Sequence, residues 1–252
     1  MKRFSKAIIF LVVLLPSLVA VNCKDVGAEP RDLLAKPKKV QWDDLVLREG
    51  RFYEKFTDVP FIGKVDEDTI KGQLRNGKKE GLWTWYYGNG QLSRKGEYRR
   101  GKKEGPWISY HPNGLLFDQG KYENGKREGP YTAYNQYGNT IEKGMFKLGQ
   151  REGLWVVKFR NDVLAEKGEY RRGTKEGPWV RYHENGQLKS KGQFQNGREH
   201  GEWVTYHRNG PIKSEGKYTE GVKIGQWKYY GIDGKIDWAE MLLNQRMPVK
   251  GE

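Results

Sequence analysis

The chain has one cysteine in 252 residues, so it has no intramolecular disulfide framework. Aliphatic side chains are sparse and mean hydropathy is −0.91, which argues against a thick two-layer core. Between residues 72 and 236 no segment is long enough, or periodic enough, to read as a helix. No nucleophile elbow, phosphate loop or dinucleotide fingerprint stands out. The 4 histidines are the one feature that invites a metal reading. What the sequence does have is 33 glycines, 9 tryptophans and 15 tyrosines. Glycine with this many aromatics points to tight turns joined by short strands.

The formal charge is +14, and removing Lys2, Arg3 and Lys6 of the leader leaves +11. Such a balance suits an acidic partner, and it equally suits solubility of a long surface. Residues 1–23 read as an export signal: a basic start, then an apolar run from Ala7 to Val21 broken by Pro16 and Ser17. The run is short for a membrane-spanning helix. Cys23 follows it directly, in Leu18-Val19-Ala20-Val21-Asn22-Cys23. That stretch resembles the lipid-attachment site of bacterial lipoproteins, with Asn22 where Gly or Ala is usual. Acylation there would anchor the protein to a membrane surface. Cleavage near Val26-Gly27-Ala28 is the other reading, and it leaves the thiol incidental. Residues 24–40 carry Pro30, Pro37 and the Lys36–Lys39 charges, and read as a disordered tether.

A 24-residue period then takes over. Gly72, Gly96, Gly120, Gly144, Gly168, Gly192 and Gly216 mark seven units, covering residues 72–236. A tryptophan column runs through Trp83, Trp107, Trp155, Trp179, Trp203 and Trp227, with Tyr131 in the third unit. Asn113-Gly114, Asn185-Gly186 and Asn209-Gly210 signal hairpin turns, and Asn76-Gly77, Asn124-Gly125 and Asn196-Gly197 turn the chain into the next unit. The expectation is two strands per unit, about fourteen in all, in a twisted antiparallel sheet of tandem β-hairpins. The glycine opening each unit should sit inside a strand, under an aromatic ring from a neighbour. Residues 41–71 read as a divergent N-terminal repeat. Residues 237–252 read as a cap with a short helical turn over the last strand.

These columns resemble the bacterial MORN-variant repeats, found in proteins labelled YwqK-type antitoxin components. The resemblance implies a protein partner, with a toxin as one candidate. The fourth unit departs from the pattern, because Lys158 and Asp162 replace the column Tyr and Gly. That departure predicts a local kink or a contact site around Lys158, Arg160 and Asp162. The basic turns, with Lys102, Lys103, Lys126 and Arg127, are the other candidate interaction surface.

His111, His183 and His207 share a column, as do Glu80, Glu104, Glu128, Glu152 and Glu176. Residues one unit apart should stand roughly 10 Å apart, two strand spacings, too far for shared zinc ligation or an asymmetric acid–base pair. The histidines are expected at exposed strand ends and the glutamates in solvated turns. The expectation is a non-catalytic, exported protein of the cell envelope, with no cofactor and no nucleic-acid partner. It would act as a protein-binding scaffold or as a module on anionic lipid or glycan.

Overall fold

The computed structural model describes residues 37–245. The leader with Cys23, the tether up to residue 36 and residues 246–252 lie outside the described residues. The first strands are β1 (Lys39–Val40), β2 (Leu45–Arg48), β3 (Arg51–Glu54), β4 (Gly63–Asp66) and β5 (Ile70–Arg75). Then come β6 (Lys78–Tyr86), β7 (Leu92–Arg99), β8 (Lys102–Tyr110), β9 (Leu116–Glu123), β10 (Lys126–Tyr134), β11 (Thr140–Lys147) and β12 (Gln150–Lys158). The array ends with β13 (Leu164–Arg171), β14 (Thr174–Tyr182), β15 (Leu188–Gln195), β16 (Arg198–Tyr206), β17 (Ile212–Thr219) and β18 (Val222–Tyr229). Helix α1 (Trp238–Gln245) follows.

One open 16-stranded sheet holds β1 and β4 to β18, and from β4 onward the strands lie in sequence order. The seven units supply β5 to β18, antiparallel throughout, and β1 pairs with β4 in parallel. Lys39 and Val40 thus belong to the sheet, and Val40 is 7% exposed, so the expected tether stops short of residue 40. Residues 41–71 also differ from a plain repeat. Only β4 and β5 join the main sheet; β2 and β3 form a separate hairpin. Phe52 and Trp42 of that region pack against Trp83, covering the first end of the array. At the other end Met241 of α1 packs on the cluster of Trp227 and Tyr229.

Two kinds of turn join the strands. Asn76-Gly77 and Arg100-Gly101 have φ of 51° and 69°, and 53° and 82°, the paired positive values of a two-residue I′ turn. At the opposite edge, Gly90 N–H donates to Tyr87 O (2.9 Å) and Tyr87 N–H to Gln91 O (2.8 Å). That is a type I turn closed by a left-handed glycine. The fourth unit keeps this turn: Asp162 N–H donates to Phe159 O (3.1 Å) and Phe159 N–H to Val163 O (2.8 Å). Asp162 takes φ 66° in place of glycine, and a short polar side chain tolerates that. The predicted kink is therefore absent.

The strands are longer than the aromatic segments alone suggest. Gly81 and its equivalents are not turn residues: they lie inside strands of eight or nine residues with φ near 65°. Each marks a bulge that shifts the register, as between Lys71 and Gln73 opposite it. The bulge frees a carbonyl, and the tryptophan uses it: Trp83 Nε1 donates to Gln73 O (3.2 Å) and Trp179 Nε1 to Glu169 O (3.2 Å). The ring lies flat over the glycine of the neighbouring strand, as expected. A Cβ on Gly168 would meet Trp179 Cδ2 at 2.2 Å.

On the tryptophan face, rings from successive strands alternate in edge-on contacts. Tyr170 meets Trp179 at 5.2 Å and 88°, and Phe194 meets Trp203 at 5.3 Å and 89°. Such pairs add to plain burial by matching ring edge to ring face. This single ladder replaces the second layer that the composition cannot supply.

Candidate anion-binding edge and cleft

The glutamate and histidine columns brace the turns of the next unit. Glu80 Oε2 accepts from Arg100 N–H (2.7 Å), Glu104 Oε2 from Asn124 N–H (2.9 Å) and Glu152 Oε2 from Arg172 N–H (2.8 Å). His111 Nε2 donates to Tyr134 O (3.0 Å) and His207 Nε2 to Tyr230 O (2.7 Å). Nε2 must carry the proton there, because a carbonyl can only accept. Neither column matches its expected setting: the histidines are half-buried, and the glutamates are tied to amides rather than solvated. Among the described residues no three His, Cys, Asp or Glu side chains gather where one ion could be held.

The basic turn residues divide between two places. Lys102 and Lys126 stay exposed at the I′-turn edge. Lys103 and Arg127 turn onto the tryptophan face, since they pair directly across from Tyr98 and Tyr122. Lys103 Nζ stands 4.1 Å from the Trp107 ring centroid, and Arg127 Cζ 4.4 Å from that of Tyr131. Arg127 also pairs with Asp118 at 3.5 Å. Lys158 is paired with Asp162 at 2.7 Å on the opposite edge, beside exposed Arg160. The three fourth-unit candidates are thus not brought together with the turn cations.

The same cation column reaches its most buried point at Lys79. Its Nζ lies 4.5 Å from the Trp83 centroid and 5.0 Å from that of Trp42, with three more rings within 6.0 Å. Burial, then repulsion from Arg94 and Lys103, pushes its pKa from 10.5 down to about 8. Between those values the unfolded chain binds more protons than the folded one, so this group's contribution to stability rises with pH across that window. Lys79→Met removes that term. The melting-temperature difference between Lys79→Met and wild type should therefore fall, in the variant's disfavour, as pH rises from about 8 to 10. Parallel melts across that range check it, and a pH-independent gap would contradict it.

Sequence reasoning missed most of the edge. Arg75, Arg99, Lys147 and Arg171 flank the I′ turns, Arg100 and Arg172 are the first residues of such turns, all six are exposed, and Lys78 is half-exposed. Among the described residues, none of these, nor Lys102 or Lys126, has a carboxylate ion-pair partner. Two cross-strand pairs that close these turns are both basic: Arg75 faces Lys78, and Arg99 faces Lys102, with the acidic pair Glu97 and Glu104 two residues further along the second hairpin. Directly opposed like charges destabilise a hairpin. At the first end the edge deepens into a cleft of about 400 Å³. Arg51, Arg75, Lys78 and Arg100 line it, and its one carboxylate, Glu80, is held by the Arg100 amide. Arg51 Nη1 donates to Asn76 Oδ1 (3.1 Å), which fixes the cleft wall. The edge is less basic at Glu123, opposite Lys126, and at Glu220, which pairs with Arg198 at 3.6 Å. The missed signal was positional: these residues occupy the Asn column of the Asn-Gly turns, as Arg100 and Arg172 do, or the columns beside it.

The fold and its turns define an open β-hairpin repeat protein. The family model described as MORN repeat variant matches residues 79–100, 103–124, 175–196 and 199–220, four segments that run through the tryptophan to the next I′ turn, three of them starting at the stacked cation and the fourth at Glu199. No curated protein matches the chain. One solved structure, described as "Crystal structure of GtfA/B complex bound to UDP and GlcNAc", aligns at 11% identity and a TM-score of 0.17. The alignment covers 55% of this chain and 25% of that one.

Proposed function

We propose that this protein is a non-catalytic scaffold, exported to the cell envelope, that binds an acidic protein through its I′-turn edge and the cleft at that edge's first end. The observation that carries the reading is the pair of like-charged cross-strand contacts, Arg75–Lys78 and Arg99–Lys102. Like charges face each other there without a carboxylate ion-pair partner, with acids only two residues along the strands, and an acidic partner would relieve the repulsion. The leader supports export, and acylated Cys23 would hold the array at a membrane surface. The resemblance to YwqK-type antitoxin components makes a toxin one candidate partner.

The test compares wild type with an Arg75→Gln, Lys78→Gln, Arg99→Gln, Lys102→Gln variant in capture from envelope extract. The expected result is a specific acidic protein that salt releases and the variant fails to retain. Equal capture by both proteins would sink the reading. Intact mass of the mature N-terminus tests the anchor: an unmodified Cys23, or its removal, would refute it.

The spacing of the edge favours a second reading, in which anionic lipid or glycan takes the place of the protein. Units repeat every two strands, about 10 Å, and so offer evenly spaced cations to a flat or repetitive surface. Co-sedimentation with anionic vesicles or cell wall that is insensitive to salt would exclude this electrostatic form.

A further inference from the structure

The tryptophan face changes character after the fourth unit. In each unit the strand opening after the type I turn carries a bulge: Arg181 pairs with Ser190 and Tyr182 with Leu188, which leaves Lys189 as the extra residue. The equivalent extra residues earlier are Ser93, Phe117, Ile141 and Ala165. The next residue, on the tryptophan face, is acidic in the second to fourth units: Asp118, Glu142 and Glu166. Each of those carboxylates neutralises a stacked cation, Arg127, Arg151 and Lys175 respectively. The fifth and sixth units change both positions together, to Lys189-Ser190 and Lys213-Ser214. On adjacent hairpins an acid is lost and a lysine gained twice, while the stacked-cation position that follows Ser190 carries Glu199 and the one that follows Ser214 keeps Lys223.

These residues line one cavity of about 430 Å³. Arg181 reaches it from β14 and Thr205 from β16. Thr205 Oγ1 and Ser214 Oγ are 2.7 Å apart, so one hydroxyl hydrogen is already committed. Ser190 is 6% exposed, and its hydroxyl, which solvent can still reach, makes no hydrogen bond among the described residues. Lys189 and Lys213 are exposed and have no carboxylate partner there. Arg181 keeps a loose contact to Glu166 at 3.5 Å. Two carboxylates also line the cavity, Glu199 and Glu240. Glu199 stands in the stacked-cation column across from Phe194, four residues from Ser190 along β15, roughly 13 Å between backbones, on the side of the cavity away from Lys189 and Lys213.

We propose that the Lys189–Ser190 and Lys213–Ser214 end of this cavity binds a small ligand through a phosphate monoester group. A phosphate carries nearly two charges and three acceptor oxygens. Two ammonium groups, a guanidinium and a hydroxyl with no partner supply that charge and those donors. Bulges are a recurrent way to re-aim side chains at a binding site. The cavity volume falls in the range of small-ligand sites, about 300–1,000 Å³. The site lies on the tryptophan face, apart from the I′-turn edge, and so stands independently of the scaffold reading.

The test is titration of the full chain with glycerol phosphate, and separately with inorganic phosphate, at constant ionic strength, read by calorimetry and by phosphorus NMR line width. Saturable one-site binding of glycerol phosphate is expected. Lys189→Gln with Lys213→Gln, both at exposed positions, should weaken it at least about tenfold, a difference of about 1.4 kcal/mol. Ser190→Ala, which leaves both lysines in place, should weaken it severalfold. Arg99→Gln with Arg171→Gln, on the turn edge, should leave it unchanged. Three results would overturn the site: no saturable binding, equal binding by the double-lysine variant, or loss only in the turn-edge variant. Binding of inorganic phosphate without glycerol phosphate would overturn the monoester class.

Discussion

Gly168→Ala should destabilise the protein by about 3 kcal/mol or more, the upper range for forcing a methyl into a packed core, while Gly120→Ala should cost less than about 1 kcal/mol. The two glycines occupy the same column. At Gly168 an added Cβ would lie 2.2 Å from Trp179 Cδ2 and 2.3 Å from Cε2. That indole cannot retreat: it is 2% exposed, donates to Glu169 O, and sits under Lys175 at 3.8 Å. At Gly120 the facing ring is Tyr131, whose nearest atom is 3.4 Å from the added Cβ. That is a tight but tolerable contact, offset by the lower chain entropy of alanine in the unfolded state. Urea unfolding of both variants provides the comparison. Equal losses would show that backbone freedom, not the ring, selects glycine in this column.

Trp155→Ala carries the next largest expected effect, about 3–5 kcal/mol from loss of a fully buried ring. Trp155 is 1% exposed, meets Phe146 at 5.0 Å and Tyr170 at 6.1 Å, and donates to Met145 O (3.1 Å). It sits in the fourth of seven units, so the ladder is cut near its middle. Repeat arrays are held by contacts between nearest neighbours, so the cut should also lower cooperativity and split or broaden the melting transition. Leu154→Ala, one residue earlier and 57% exposed, should change stability by less than about 0.5 kcal/mol. A single sharp transition in Trp155→Ala, shifted no further than in Leu154→Ala, would contradict the ladder as the source of stability.

Legibility in the sequence followed the range of the interactions. The period, the hairpins and the pairing of glycine with tryptophan follow from turn chemistry and ring size within one 24-residue unit, and they appear as columns. The fourth-unit substitutions looked like a break and were not one, because Asp162 accepts φ 66° in the same turn. The change at Lys189-Ser190 and Lys213-Ser214 was visible as letters but had no meaning until the bulge placed both residues at one cavity.

The charges show the division most clearly. Lys102 and Lys103 are neighbours in sequence, and both read as turn cations. Folding sends one to the I′-turn edge and the other onto Trp107, because adjacent strand residues point to opposite faces. Lys103 and Trp107 are four residues apart, and the bulge at Gly105 inserts two residues relative to β7, an even number that keeps both side chains on one face. The Glu and His columns likewise acquire roles only when the next unit is in place. Glu80 meets an amide 20 residues ahead and His111 a carbonyl 23 ahead. One unit's sequence is enough to specify a hairpin, while the destination of each charged group depends on the hairpin docked beside it, since hydrogen bonds and ring contacts between units form only across that interface.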